Sequence, residues 1–340
     1  MGEDAVDRRP AGERSAWWRR ACALIVLSTL LTVFSEAFYW YPGGTDLPPR
    51  VLFYLVPTTA LVWSTTRWPG SRWPAVVLAG AVYGFVTEGV LTPVVYGGFP
   101  FDPIAISYTS LAWHAVVTVG FGLVALHRVL VRGPVVRACA AAAAFGAFWG
   151  LWAMVWRLPP EADMEPSSLS ALRGQVGPGV FALYTLAATV VVGSCHLLLG
   201  RLVRPVDLIL GRVWPVVMLV AGLIWFAFGA VPVAPWAPLE LAVLLFLCGW
   251  GLSRRSRSVA PGPPMASVVC EPVPPRRLAA LAALPIASVA TYSLLLMLSP
   301  SDDTIRVFLG GSVIVVQTVL GWALFIAALV SVRRRRPEPA

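Results

Sequence analysis

Long apolar runs separated by short polar segments are the main feature of the sequence. Each run holds about 17 to 25 mostly apolar residues, enough to cross a hydrocarbon core of about 30 Å as an α-helix. The pattern predicts an all-α fold, a polytopic transmembrane helix bundle of about ten helices. Their predicted positions are residues 20–41, 50–67, 73–93, 103–127, 136–156, 177–200, 212–231, 237–252, 278–298 and 307–332.

Polar residues are unevenly distributed among these helices, which divides the chain into two halves. The first five helices, residues 20–157, form a polar transmembrane half. Within the last four helices, charge away from the helix boundaries is confined to Glu240. The other predicted segments are a disordered cytoplasmic tail at 1–19, an external acidic loop at 158–175, an apolar transmembrane half at 176–333 with a flexible cytoplasmic linker at 253–277, and a cytoplasmic tail at 334–340.

The arginines predict the orientation, because cytoplasmic loops carry the excess of basic residues. If the N-terminus is cytoplasmic, 22 of the 26 basic residues fall in cytoplasmic segments. Only Arg50, Arg157, Arg173 and Arg306 remain for the external side. A helix miscounted early in the chain would destroy this asymmetry. The arginines therefore support both the count of ten helices and cytoplasmic N and C termini.

The composition excludes an ordinary soluble domain. Hydrophobic residues make up 58% of the chain, charged residues make up 13%, and the mean hydropathy is +0.75; soluble domains are less apolar and more charged. The net charge of +9 would suit nucleic acid, but the basic residues lie between apolar runs and form no single patch. We expect the lipid bilayer as a partner and no nucleic acid. Because every basic residue is arginine, as in GC-rich bacteria, we expect a bacterial plasma (inner) membrane.

Three ionisable residues lie inside apolar runs of the polar half: Glu36, Glu88 and His114. An ionisable side chain within a membrane helix costs roughly 2.5 to 3.5 kcal/mol on insertion scales and usually faces the bundle interior or a wet cavity. Such residues mark functional sites by default. We therefore expect these three side chains to form the polar centre of the protein.

Helical spacing aligns these residues with further polar side chains on the same helix faces. On the third helix, Gly80, Gly84 and Glu88 follow in steps of four. Such a small-residue stripe lets another helix approach closely and places Glu88 in that contact. The predicted binding residues are Thr32, Glu36 and Tyr39 on the first helix, Glu88 on the third, and Ser107, Ser110 and His114 on the fourth.

Helix rise predicts the depth of each group. Glu36 and Glu88 each follow an arginine at the inner boundary by sixteen residues, or about 24 Å, so both carboxylates are predicted at one level. His114 follows the outer cap at Asp102 by twelve residues, or about 18 Å, which places it one to two turns deeper. These depths predict an outward-facing pocket with an imidazole at its floor. Two carboxylates at one depth need a proton, a cation or water between them.

Other polar residues have simpler interpretations. His127 and His196 lie beside arginines at inner helix ends and are interpreted as interfacial residues. Glu240 lies near the start of its helix, where a carboxylate stabilises the N-terminus. The cysteine spacings match no zinc motif, so we predict no metal ligand, and the sequence identifies no cofactor.

Known catalytic motifs are missing from the sequence. Glu88 is followed by Gly89 and has no arginine four residues on, so the EExxxR motif of CAAX-type intramembrane proteases is not present, nor are HExxH, GxSxG, P-loop and GxGxxG. Three functions fit the site. The first is a carrier or binder of a small polar or lipid-like ligand with proton or cation involvement. The second is an intramembrane hydrolase or transferase with Glu/His acid–base or metal chemistry, and the third is a structural or accessory subunit. The sequence favours the first and leaves the ligand and the oligomeric state open.

Reporter fusions after Arg67, Arg137, Arg212 and Arg257 test the predicted topology. All four should report the cytoplasm, because each lies in an arginine-rich segment on the side of both termini. Each position is measured twice, with one reporter active only inside and one active only outside. A single external result would contradict the count of ten helices.

Overall fold

Every regular element among the described residues is a helix, as the apolar pattern predicts. The computed structural model describes residues 11–39, 47–70, 72–157, 176–258, 265–298 and 303–331. The α-helices are α1 (Ala11–Thr32), α2 (Leu47–Phe53), α3 (Leu55–Arg67), α4 (Trp73–Val86), α5 (Pro103–Ala105), α6 (Leu126–Arg132), α7 (Val135–Trp152), α8 (Pro178–Leu202), α9 (Val213–Gly229), α10 (Ala237–Ser258), α11 (Met265–Val269), α12 (Pro275–Leu278), α13 (Ala283–Leu298) and α14 (Asp303–Val330). Short 3₁₀ turns occupy Pro93–Tyr96, Ala153–Arg157, Pro205–Leu208 and Ala279–Ala282.

Eight helices within the described ranges are long and apolar enough to cross a membrane, which makes the chain a multi-pass membrane protein. At two predicted positions the helix is shorter. α9 has 17 residues, and the predicted second helix is divided into α2 and α3. The eight spans are Trp17–Ala37, Trp73–Leu91, Pro103–Arg132, Val135–Val155, Pro178–Leu202, Ala237–Arg254, Pro275–Leu298 and Val307–Val330.

Pro57 explains the division of the predicted second helix. Proline has no N–H, so the carbonyl of Phe53 loses its helical partner, and the proline ring crowds that carbonyl. The interruption falls at Tyr54, whose N–H still donates to Arg50 O at 2.9 Å, and Thr58 N–H donates to Tyr54 O at 3.0 Å. The break places a buried tyrosine at the junction of two short helices.

Two segments predicted to be irregular are ordered instead. α1 begins at Ala11, so residues 11–19 are helical, and the Trp17 ring stacks on Trp214 at 5.6 Å, which holds these turns against α9. The predicted linker 253–277 is also largely structured, because α10 continues to Ser258 and the apolar run that follows is buried. The loop 158–175, the tail 334–340 and residues 1–10 lie outside the described residues.

The three helices that carry the predicted polar centre each contain a π-helical segment: Val33–Ala37, Thr87–Leu91 and Ile106–Ala125. In the second, Thr92 N–H bonds to Thr87 O, five residues back, at 3.0 Å. This winding has more residues per turn than an α-helix and recurs at functional sites. It also changes which side chains share a face, so positions aligned on an α-helix separate.

Glycines bring α4 into backbone contact with the span Pro103–Arg132. A Cβ at Gly80 would lie 2.8 Å from Ala115 Cα, and one at Gly84 would lie 2.2 Å from the carbonyl oxygen of Ser110. These distances are the close approach that the small-residue stripe predicts. The span that contains α4 is the most buried of the eight, with 83% of its most apolar window inside the bundle.

Aromatic packing joins the first helix to its neighbours. The Phe38 ring lies 4.3 Å from the Trp149 ring of α7, and Trp113 Nε1 donates to the carbonyl of Phe34 at 2.9 Å. Gly122 faces Phe34 so closely that a Cβ there would lie 2.6 Å from the ring. The first helix is thus held against the span that carries His114.

Replacing Gly84 with alanine should destabilise the protein, because the new methyl group must displace the Ser110 backbone. Overpacking of this kind costs about 1 to 3 kcal/mol. The matched control is Gly311→Ala in α14, where no atom lies within 4 Å of the Cβ position and alanine favours the helix. Thermal unfolding of the detergent-solubilised protein measures both. A midpoint for Gly84→Ala equal to that of the control would show that α4 does not need this contact.

Candidate functional site

Glu88 and His114 form a buried pair at the centre of the polar half. Glu88 Oε1 lies 2.5 Å from His114 Nε2, and the two residues are only 9% and 2% exposed. Thr92 donates its hydroxyl to Glu88 Oε2 at 2.9 Å. Because an ionised carboxylate only accepts hydrogen bonds, Nε2 carries the hydrogen when Glu88 is charged.

The other imidazole nitrogen continues this pair into a series of hydroxyl groups. His114 Nδ1 lies 3.1 Å from Ser35 Oγ, and Ser35 Oγ lies 2.9 Å from the Tyr83 hydroxyl and 3.4 Å from Thr118 Oγ1. The Tyr83 ring also packs edge-on against the imidazole. A hydroxyl both donates and accepts, so each bond in this series can reverse its direction when a proton is gained or lost.

Glu36 has a separate set of partners on the broken second helix. Arg50 of α2 and the hydroxyl of Tyr54 both donate to its carboxylate. This pair is more accessible than Glu88, since 17% of the Glu36 side chain and 32% of the Arg50 side chain are exposed. The residues next to the helix interruption thus stabilise Glu36: Arg50 provides the cation and Tyr54 the hydroxyl group.

The two carboxylates border one group of phenols. Tyr39, Tyr54 and Tyr83 each interact electrostatically with both Glu36 and Glu88. The Tyr54 and Tyr83 rings lie 6.2 Å apart. The sequence predicted that a proton, a cation or water between Glu36 and Glu88 relieves their repulsion. In the structure each carboxylate has a partner of its own, Arg50 for Glu36 and His114 for Glu88.

Three predicted binding residues, Thr32, Ser107 and Ser110, have surroundings other than the ionisable groups, and the fourth, Tyr39, also packs on an aromatic ring. Thr32 donates to the carbonyl of Ser28 one turn back at 2.7 Å, and Ser107 donates to the carbonyl of Thr318 in α14 at 2.7 Å. Ser110 Oγ is fully buried with no hydrogen-bond partner among the described residues. The Tyr39 ring packs against Trp113 at 4.8 Å.

The π-helical winding explains why His114 is bonded directly to Glu88, although helix rise placed it one to two turns deeper. A π-helix rises less per residue than an α-helix, because more residues fill each turn. The twelve residues from Asp102 to His114 therefore descend less far than expected. The same winding turns Ser107 towards α14 and away from His114.

Sequence reasoning missed Arg50, Tyr54 and Tyr83 as members of the site. Arg50 is one of four arginines assigned to the external side. Because basic residues are rare on that side, an arginine there is a signal for a specific partner. Pro57 marks the break beside Tyr54. Tyr83 had no distinguishing signal, because a tyrosine within an apolar run reads as a packing residue.

Acid–base chemistry is what these side chains can perform. The described part of the chain contains no group of three or more histidine, cysteine, aspartate or glutamate residues that could hold a metal ion. Imidazole is the side chain that changes charge near neutral pH, and a carboxylate beside it can exchange the same proton. The site can therefore store a proton or transfer it to a bound molecule.

Comparison of the chain with protein-family models, curated proteins and solved structures finds no match.

A double-mutant cycle tests the Glu88 and His114 pair. Glu88→Gln and His114→Gln should each lower stability substantially, because removing one member of a buried pair costs on the order of 3 to 5 kcal/mol. The double variant should lose clearly less than the two losses added. Unfolding of the solubilised protein at a fixed pH supplies the free energies.

The control cycle combines Glu36→Gln with His114→Gln, which bond to different partners and should be close to additive. If the Glu88 cycle were as additive as the control, the pair would not be the central interaction of the site.

Proposed function

We propose that the protein is a carrier that binds a small polar or lipid-like ligand at an outward-facing site and exchanges a proton there. The observation that carries the proposal is the buried hydrogen-bonded series from Glu88 through His114 and Ser35 to Tyr83, beside the partly exposed Glu36. The series ends at Tyr83, whose ring lies 6.2 Å from that of Tyr54, and Tyr54 donates to the partly exposed Glu36. Ionisable chains within membrane helices commonly serve as proton relays.

Discontinuous helices support a carrier over a rigid scaffold. In many transporters the ligand and the coupling ion bind where membrane helices are interrupted near the middle of the bilayer. Here Glu36, Glu88 and His114 lie in π-helical segments, and Tyr54 lies at the break between α2 and α3. Four helices thus depart from regular α-helical winding at the residues that form the site.

The ligand would meet a partly exposed Arg50 and Glu36 first and the buried pair second. Arg50 offers a guanidinium that recognises planar anionic or polar groups. Ser110, which lacks a partner within the described chain, offers a further hydrogen-bonding group. These features favour a ligand with at least one polar head group.

The proposed topology has ten membrane helices with both termini in the cytoplasm, in a bacterial plasma membrane. The arginine asymmetry supports the orientation, and the absence of lysine from the sequence supports the source. α9 and the divided helix of α2 and α3 would complete the ten. The external side would then be the side of Arg50 and Glu36.

An intramembrane acyl-transfer enzyme is the second candidate, favoured by the order of Ser35, His114 and Glu88. A serine hydroxyl bonded to an imidazole that is in turn bonded to a carboxylate is the arrangement of an activated nucleophile. Ser35 is only 2% exposed, so a substrate would need to enter the bundle. A serine-reactive fluorophosphonate should label the wild type and spare Ser35→Ala if this candidate is right.

Proteoliposomes loaded with a pH-sensitive dye test the carrier proposal. The vesicles are exposed in turn to amino acids, sugars, nucleosides and short carboxylic acids. At least one class should drive proton movement into vesicles with the wild type, and Glu88→Gln should reduce that rate at least tenfold, because the proton-binding pair is lost.

The matched control is Glu240→Gln. Glu240 is another fully buried carboxylate, but it accepts from Phe101 N–H at 2.9 Å, away from the proton-binding series, and its amide can still accept that bond. This variant should keep most of the proton movement. Equal losses in the two variants, or no solute-driven proton movement in the wild type, would contradict the proposal.

A further inference from the structure

Residues 265–273, named here the strap, fold back onto the helix bundle. The segment begins with α11, and its apolar side chains are almost completely buried, with exposures of 2 to 4% for Met265, Val268, Val269 and Val273. It packs against α3, α6 and α8. The strap, which belongs to the predicted linker 253–277, is thus held in the protein interior by its own apolar run.

One strap residue, Glu271, is held twice by α6. Its carboxylate forms an ion pair with Arg132, and its backbone carbonyl lies 3.1 Å from His127 Nε2. The ion pair is solvent-exposed on the arginine side, and exposed pairs are easily broken. The strap is therefore fixed partly by buried apolar side chains and partly by this exposed ion pair.

His127 and His196 are fully buried, so the interfacial interpretation made from sequence is wrong. Their Nδ1 atoms lie 3.1 Å apart. Because the Glu271 carbonyl only accepts, His127 Nε2 carries a hydrogen, and in the neutral ring Nδ1 accepts from His196. The strap, α6 and α8 are thereby connected through one imidazole.

The strap also contacts the backbone of α8 directly. A Cβ at Gly200 would lie 2.6 Å from the Glu271 carbonyl oxygen. Next to this contact, burial and then the charge of Asp207 raise the pKa of the Cys270 thiol to about 12. Cys270 is also only 8% exposed, so the strap in place shields the thiol from reagents that attack the thiolate.

We infer that the strap is the inner gate of the carrier and that the contacts of Glu271 with Arg132 and His127 are its latch. The inference rests on the proposed function, because an outward-facing carrier must keep its inner end closed until the ligand is bound. The strap lies between two predicted cytoplasmic helix ends, on the opposite side from Arg50. Its release would uncover the ends of α3, α6 and α8 together.

Labelling of Cys270 tests the latch in the full-length protein. Cys22, Cys139, Cys195 and Cys248 are replaced by alanine, and the rate of modification by N-ethylmaleimide is measured in detergent. Glu271→Arg should increase that rate at least fivefold, because it replaces the ion pair with Arg132 by two opposed arginines. Combining it with Arg132→Glu should restore a rate within twofold of the parent, which also shows that the strap still folds.

The control is Arg137→Glu, an exposed arginine at the start of α7 outside the latch, which should leave the rate unchanged. Labelling of Glu271→Arg at the parent rate, or failure of the charge swap to restore slow labelling, would overturn the latch.

Proteoliposomes separate the gate from the carrier itself. Where the wild type shows solute-driven proton movement, Glu271→Arg should change its rate at least threefold, and an unchanged rate would overturn the gate while the carrier proposal stands. Absence of proton movement in the wild type would overturn the carrier proposal, and the gating role with it, whatever the labelling shows.

Discussion

The pairing of Glu88 with His114 is the interaction on which the polar half of this protein depends. Burying an isolated charge in an apolar medium is so unfavourable that the group must be paired or neutralised. Each ionisable group of the centre meets that requirement through a residue on another helix. These pairs therefore link α4 to the span Pro103–Arg132 and the first helix to α2.

Close backbone approach makes this pairing geometrically feasible. Glu88 reaches His114 because Gly80 and Gly84 bring α4 into contact with the facing span, and because the π-helical winding lifts His114 towards it. Neither feature stabilises the fold by itself. A π-helical turn is less favourable than an α-helical one, so the bonds of the polar centre must outweigh it.

The sequence predicted what depends on composition and on α-helical spacing. Apolar run length located eight spans that the structure contains, and the cost of buried charge singled out Glu36, Glu88 and His114. It could not predict the partner of Glu36, because Arg50 is chosen by tertiary contact. The inward fold of the strap was missed for a related reason: prolines and arginines dominate the predicted linker 253–277, while a short apolar run within it decides the burial of the strap.

The helix break at Tyr54 has a thermodynamic consequence. The arginine that balances Glu36 belongs to a helix of seven residues, joined to α3 through the single residue Tyr54. A tilt of that helix would move the guanidinium of Arg50 relative to the carboxylate of Glu36. The position of α2 and the charge balance of the first helix are then linked variables of a single equilibrium, so work done on either one is transmitted to the other.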